Sequence, residues 1–165
     1  MTGPLPTPLP DRRDPPDPIA FPYYYQGITG KRMIAYLIDV VAIVLINGIA
    51  WLALGLAGLI TFGLLFPLIP LAMLIIPFAY HVLQIGGTRS ATLGMRVMGL
   101  EVVSLVGRPR PELLQAAIMT VVFYATVPTT GFLVMLFMFF NPYRRALHDY
   151  LSGTIVLNKV PVSPT

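Results

Sequence analysis

The sequence predicts an all-α membrane protein with a transmembrane helical hairpin, a third broken membrane segment and a small cytoplasmic β-ribbon. Three observations lead to this fold class. Of the 165 residues, 56% are hydrophobic and 11% are charged, whereas a soluble domain has about a quarter charged residues. Basic residues lie at the edges of long apolar stretches, and proline is frequent at the start of the chain.

The first predicted span covers residues 33–56, since a hydrocarbon core of about 30 Å requires roughly 20 helical residues. Asp39 is the one charged residue in this span. A charge at the centre of a membrane helix costs about 2.5–3.5 kcal/mol, but Leu, Ile and Val contribute about −0.3 to −0.6 kcal/mol each and together outweigh it. We therefore expect the helix to insert with Asp39 turned away from lipid.

The second predicted span covers residues 62–83 and contains three prolines. Proline kinks a membrane helix and frees backbone carbonyls, so we expect kinks at Pro67, Pro70 and Pro77. The link between the two spans carries no charge, which favours a tight hairpin.

The third segment, residues 112–140, is interrupted by "VPTTG". It is longer than one span requires and too short for two full spans. Either it returns as a broken hairpin, or it crosses once and leaves the C-terminus outside. The hairpin is favoured because Arg144 and Arg145 would otherwise have to be translocated.

The remaining residues form tails and a loop. Residues 1–27 are predicted to be a proline-rich, disordered cytoplasmic tail, with an interfacial aromatic belt at Tyr23, Tyr24 and Tyr25. Residues 28–157 form the membrane domain and 158–165 a C-terminal tail. In the loop after the second span, "SATLGMRVMG" predicts a short interfacial helix starting at Ser90 or Thr92. "LEVVSLV" and "GTIVLNKV" predict the two strands of an antiparallel ribbon.

Charge and motif content exclude several function classes. The basic residues lie at the edges of apolar runs, which indicates membrane orientation rather than nucleic-acid binding. They place the N-terminus in the cytoplasm. The chain has no cysteine, so disulfides and thiolate metal sites are excluded. It has no Walker loop, HExxH or GxSxG motif, and we expect no enzyme activity, cofactor or metal site.

Three pieces of the sequence, "GKRMIAYLIDVVAIVL", "GGTRSATLGMRVMGLEVV" and "RRALHDYLSGTIVL", together resemble the RDD family of bacterial membrane proteins. The family is named for one arginine and two aspartates, which the resemblance places at Arg32, Asp39 and Asp149. It implies a multi-pass protein of the bacterial plasma (inner) membrane. Transport has been suggested for the family, and some members have been linked to sodium–proton exchange. Met95 stands where the family usually has a second basic residue, and the 112–120 helix lacks a frequent arginine.

The candidate site follows from helix geometry. Arg32 and Asp39 are seven residues apart, so they share a face about 10.5 Å apart along the axis. We expect a cluster in which Asp39 and Asp149 bracket Arg32, with His148 beside them, acting as an ion-binding site or as a structural lock. His81, Asn47, Arg144 and Arg145 are secondary candidates.

Two functions are open at this point. The first is transport of ions or small solutes by a small integral membrane protein. Because so few helices cannot enclose a path alone, we expect it to form a homo-oligomer or to join a larger membrane complex. The second is an accessory or scaffold subunit that stabilises a larger membrane complex and transports nothing itself.

Overall fold

The described part of the chain contains five α-helices, one short 3-10 helix and two strands. The computed structural model describes residues 15–107, 110–130, 138 and 140–159. After a 3-10 helix, Pro22–Tyr24, the helices are α1 (Ile28–Ile60), α2 (Leu68–Ile85), α3 (Leu93–Val97), α4 (Leu113–Thr130) and α5 (Leu147–Leu151). Strand β1 (Leu100–Ser104) pairs with β2 (Thr154–Asn158).

Helices α1 and α2 are both long and apolar enough to cross a membrane. Helix α1 has 33 residues, which at 1.5 Å each gives about 50 Å, more than a hydrocarbon core requires. Its first turns therefore extend beyond the predicted span. Large apolar side chains such as Val41, Ile49 and Leu74 are exposed along the two helices, as expected of a surface that lipid covers.

Relative to helix α2, the three prolines of the second span do not lie where the sequence predicted. Helix α2 begins at Leu68 instead of residue 62, with Pro67 as its N-cap and Pro70 in its first turn. Proline is tolerated there because the first backbone N–H groups of a helix have no intrahelical acceptor. The prediction of kinks at Pro67 and Pro70 is therefore wrong, and Pro77 alone lies inside the helix.

Helix α4 packs against both α2 and α5. It continues without a break from Leu113 to Thr130, so the predicted interruption at "VPTTG" does not end the helix before Thr130. Residues 131–137 and 139 lie outside the described residues, and the predicted return of this segment depends on them.

The predicted ribbon and short helix are confirmed. Strands β1 and β2 are antiparallel, with Val102 opposite Val156 at their centre. Helix α3 begins after Thr92, whose side chain caps it by accepting a hydrogen bond from the Met95 backbone N–H at 3.2 Å. A threonine at this position satisfies one of the unpaired donors of the first turn.

The main core lies at the end of the molecule where α1 begins. We call this end the cap; it consists of the 3-10 helix, the first turns of α1, helices α3 and α5, and the two strands. Tyr24 and Tyr25 are buried in its core, and the Tyr25 hydroxyl donates to the Pro16 carbonyl at 2.7 Å. Asn158 also donates to the Tyr23 carbonyl.

These contacts correct the tail prediction for residues 15–27. Part of that segment belongs to the cap, because Tyr24 and Tyr25 pack in the core with residues of both strands and Tyr25 bonds to Pro16. Tyr24 and Tyr25 are therefore core residues instead of members of an interfacial belt. Residues 1–14 of the predicted tail lie outside the described residues.

Candidate functional site

One face of α1 carries two charged side chains into the interior. Arg32 and Asp39 lie about two helical turns apart, and their exposed fractions are 5% and 3%. Each is held by a different set of partners. The first set comes from the C-terminal part of the chain and the second from α2 and α3.

Arg32 binds Asp149 with two hydrogen bonds. Its Nη1 donates to Asp149 Oδ2 at 2.5 Å and its Nη2 donates to Oδ1 at 3.1 Å. Nη2 also donates to His148 Nε2 at 2.9 Å. A bidentate guanidinium–carboxylate pair of this kind is strong and geometrically specific. We call Arg32, His148 and Asp149 the charged cluster.

The local fold of α5 fixes the Asp149 carboxylate. Asp149 is in the first turn of α5, and its Oδ2 accepts the backbone N–H of Ala146 at 2.8 Å. Arg145 donates to the backbone carbonyl of Asp149 and to that of Thr154, both at 3.1 Å. The charged cluster therefore connects α1, α5 and β2.

His148 is neutral in this environment. Its pKa is lowered from 6.5 to about 4, chiefly because of burial; Asp149 opposes this shift and Arg32 adds to it. Because a guanidinium only donates, His148 Nε2 must accept, and the ring proton is on Nδ1. That Nδ1 is buried and has no hydrogen-bond partner among the described residues.

Asp149 is charged. Burial alone would raise its pKa, but Arg32 beside it, with smaller contributions from His148 and the Ala146 N–H, holds the pKa below its usual range. The positive charge of Arg32 is therefore balanced directly by Asp149.

Asp39 has three neutral donors. Its Oδ1 accepts from the Tyr80 hydroxyl at 2.7 Å and from the Gly94 backbone N–H at 2.8 Å, and its Oδ2 accepts from the Thr92 hydroxyl at 2.6 Å. We call Asp39 and these three residues the neutral-donor site. It holds α3 against α1.

Gly94 is required for this arrangement. A Cβ added to Gly94 would lie 2.0 Å from the Ala35 backbone oxygen, a distance that no side chain can adopt. Glycine thus lets the backbone of α3 approach α1 closely enough for the Gly94 N–H to reach Asp39.

A cavity of about 50 Å³ separates the two sets of partners. Its polar lining includes Arg32, Asp39, His81, Thr92 and His148, and apolar residues such as Phe123 complete the wall. This volume accommodates a few water molecules. Among the described residues, no group of three His, Cys, Asp or Glu side chains is arranged to hold a metal ion.

The structure divides the predicted four-residue cluster in two. It brings Arg32, His148 and Asp149 together, but Asp39 does not bracket Arg32. The reason is geometric, because two turns of helix separate the side chains and nearer donors from α2 and α3 occupy both oxygens of Asp39.

The secondary candidates have separate positions. His81 lines the cavity, and its Nδ1 lies 3.0 Å from the Pro77 carbonyl and 3.1 Å from the Tyr124 hydroxyl. Arg145 supports the backbone of Asp149. The side chain of Arg144 forms no hydrogen bond or ion pair with described residues. Asn47 is buried in α1, and its side-chain oxygen has no partner among them.

Sequence reasoning missed Tyr80, Thr92 and Gly94 as partners of Asp39. Thr92 was predicted as a possible helix start, and this N-cap signal is the one that could have pointed to a nearby acceptor. Nothing in the spacing of Tyr80 or Gly94 indicates that they meet Asp39, because both contacts depend on how α2 and α3 pack on α1.

One of the comparisons with known proteins found a match. The model of the RDD family matches residues 27–153, a range that includes Arg32, Asp39 and Asp149. No curated protein and no solved structure matches the chain.

Proposed function

Since this match shows that the chain belongs to the RDD family, we propose that it is a small integral membrane protein that takes part in ion transport. In this proposal, the cavity beside Asp39 is the site at which the ion or proton is held. The proposal places the protein in a bacterial plasma membrane with its N-terminus in the cytoplasm.

The observation that supports this proposal is an uncompensated carboxylate beside the cavity. Within the described residues, the buried carboxylate of Asp149 has a cationic partner, Arg32. Asp39 has three donors but no cationic partner. A buried negative charge without a counter-ion attracts a proton or a small cation, and such residues inside membrane helices are typical of ion pathways.

The size of the cavity limits the transported species. A volume of about 50 Å³ holds a few waters or one small ion. We therefore propose a proton or a small monovalent cation and exclude organic solutes from this site. His148 and Asp149 do not act as a catalytic dyad in this proposal, because Arg32 occupies both of them.

Self-association is part of the proposal. Two spanning helices with α4 beside them are too few to surround a continuous path, so copies of the chain would have to supply the rest of it. The positive-inside rule places the loop after α2 in the cytoplasm. The bond between Arg32 and Asp149 supports the same side for α5.

Reconstitution into vesicles containing a pH dye tests the proposal. We expect cation-dependent proton flux from the unmodified protein and near-background flux from Asp39→Asn, which removes the charge at almost constant size. Glu101→Gln is the matched control, since it removes a carboxylate from β1, outside the cavity, and should retain flux. A melting curve of each variant shows whether it is folded.

Two results would contradict transport: no flux from the unmodified protein, or equal flux from folded Asp39→Asn. Either would leave the second candidate, an accessory or scaffold subunit. That function is favoured by the contacts of the charged cluster and Arg145, which hold α5 and β2 against α1. Purification in mild detergent tests it: a stoichiometric unrelated partner supports an accessory role, and a pure homo-oligomer argues against it.

A further inference from the structure

A second polar pocket lies at the C-terminal end of α2, outside the cavity. It has a volume of about 180 Å³, and its lining includes Leu83, Gln84, Thr88, Arg89 and Arg96. The pocket is formed where the chain leaves α2, turns, and enters α3. It is therefore located where the apolar surface of a spanning helix ends.

The pocket contains two guanidinium groups without an acidic partner. Arg96 donates to the Thr92 carbonyl and to the side-chain oxygen of Gln84, both of which are neutral. Arg89 is exposed and forms no side-chain hydrogen bond or ion pair with the residues that the structure describes. Two arginines whose charges have no acidic partner, beside the Thr88 hydroxyl, are a donor set suited to phosphate oxygens.

The turn that carries Arg89 is strained. Ser90 has a φ of +47°, in the left-handed region that side chains other than glycine rarely adopt. Its buried hydroxyl oxygen has no hydrogen-bond partner among the described residues. Strain of this kind is found at binding sites more often than in ordinary turns.

Exposed apolar side chains in the pocket lining and on α3, the helix that carries Arg96, favour a lipid over a free anion. Leu83, in the pocket lining, is 64% exposed. Leu93 and Val97 are four residues apart on one face of α3 and are 42% and 64% exposed. An acyl chain would cover these side chains while the headgroup reaches the arginines, the division of polar and apolar contacts found at membrane interfaces.

We propose that this pocket binds the phosphate of an anionic phospholipid headgroup through Arg89 and Arg96. The lipid would hold the loop between α2 and α3 at the membrane surface. This proposal depends on the membrane location of the chain and is independent of ion transport, so it is tested by a binding readout.

The test is native mass spectrometry of the delipidated protein in mild detergent, titrated with phosphatidylglycerol. Phosphatidylcholine is the neutral comparison and should bind more weakly. A surface arginine contributes about 1 kcal/mol to anionic lipid binding, so Arg89→Gln should weaken phosphatidylglycerol binding about fivefold. Arg110→Gln, an exposed arginine outside the pocket lining, is the matched control and should have no effect.

Arg96 requires a separate pair of variants because it also bonds to Thr92. Arg96→Gln should weaken lipid binding, and Arg96→Lys should restore most of it by keeping the charge. Equal binding of the neutral lipid, or an equal loss in Arg110→Gln, would overturn the proposal. So would complete competition by millimolar inorganic phosphate, which would identify a free-anion site instead of a lipid site.

Discussion

Asp149 in the cap and Asp39 inside α1 are both almost fully buried, yet the protein holds them by opposite means. Asp149 faces a guanidinium that balances its charge. Asp39 faces two hydroxyls and a backbone N–H, which satisfy its oxygens but supply no positive charge. The charged cluster and the neutral-donor site thus stabilise a buried carboxylate in two different ways.

This difference separates the structural role of the charged cluster from the ion-binding role that we propose for Asp39. A balanced pair such as Arg32 with Asp149 needs no further ligand, and its bonds connect parts of the chain that are 117 residues apart. A carboxylate without a cationic partner still attracts a proton or a cation. The three hydrogen bonds to Asp39 also attach α2 and α3 to α1. Asp39 therefore has a packing role in addition to the proposed ion binding.

The largest expected effect comes from breaking the charged cluster. Arg32→Ala leaves the Asp149 charge buried without a partner, which costs about 3–5 kcal/mol. We expect a correspondingly large loss of the free energy of unfolding in detergent, measured by thermal or denaturant melts.

Arg144→Ala is the matched control for this change, because the Arg144 side chain has no hydrogen bond or ion pair within the described part of the chain. Its effect should be within about 0.5 kcal/mol. Equal melting of Arg32→Ala and the unmodified protein would show that the cluster does not hold the cap together.

The next largest loss of stability should come from acidification, which acts on the same charged cluster. Since the pKa of His148 is lowered to about 4, the unfolded chain gains a proton near pH 6.5 that the folded protein does not accept. The stabilisation is complete above pH 6.5 and is lost as the pH falls toward 4, by about 3 kcal/mol in total. Asp149, whose pKa is also lowered, adds a further loss below its ordinary value of about 3.9.

Melts between pH 7 and pH 4 measure this dependence. His148→Gln provides the comparison, because glutamine can still accept from Arg32 but does not titrate. Its stability should change far less across this range. An identical pH dependence in both proteins would mean that other groups cause the acid lability.

At the neutral-donor site, stability should depend mainly on how closely α3 packs against α1. Gly94→Ala places a Cβ against the Ala35 carbonyl, and such overpacking costs about 1–3 kcal/mol. Gly48→Ala is the control, because a Cβ there meets nothing within 4 Å and alanine favours helix. If Gly94→Ala melts like Gly48→Ala, then α3 does not approach α1 as closely as described.

The two sites also differ in how far the sequence predicts them. Arg32, His148 and Asp149 could be grouped in advance because the resemblance to the RDD family indicated Arg32 and Asp149, and the predicted topology put the C-terminal residues on the same side of the membrane as Arg32. Hydrophobic patterning and turn signals also predicted the ribbon of "LEVVSLV" and "GTIVLNKV", which the structure confirms. The charged cluster therefore followed from the resemblance and the predicted topology.

The partners of Asp39 could not be predicted in this way. Its bonds to Tyr80 and Gly94 depend on the rotation of α2 and on sub-ångström packing of α3 on α1, and neither has a sequence period. The same limit explains Tyr24 and Tyr25, whose proline-rich context suggested a mobile tail although their rings pack on the ribbon. Local composition does not indicate that a segment will pack on a strand about 130 residues further along the chain.

The smallest expected effect removes one donor from the neutral-donor site. Tyr80→Phe deletes one of three hydrogen bonds to Asp39, and a hydrogen bond to a charged group contributes about 1.5 kcal/mol. Because Thr92 and Gly94 still hold the carboxylate, the loss should be well below that of Arg32→Ala. Tyr23→Phe, at a side chain that is 45% exposed, should change the melting curve little. A loss in Tyr80→Phe as large as that in Arg32→Ala would mean that Asp39 depends on a single partner, and the contrast between the two carboxylates would then disappear.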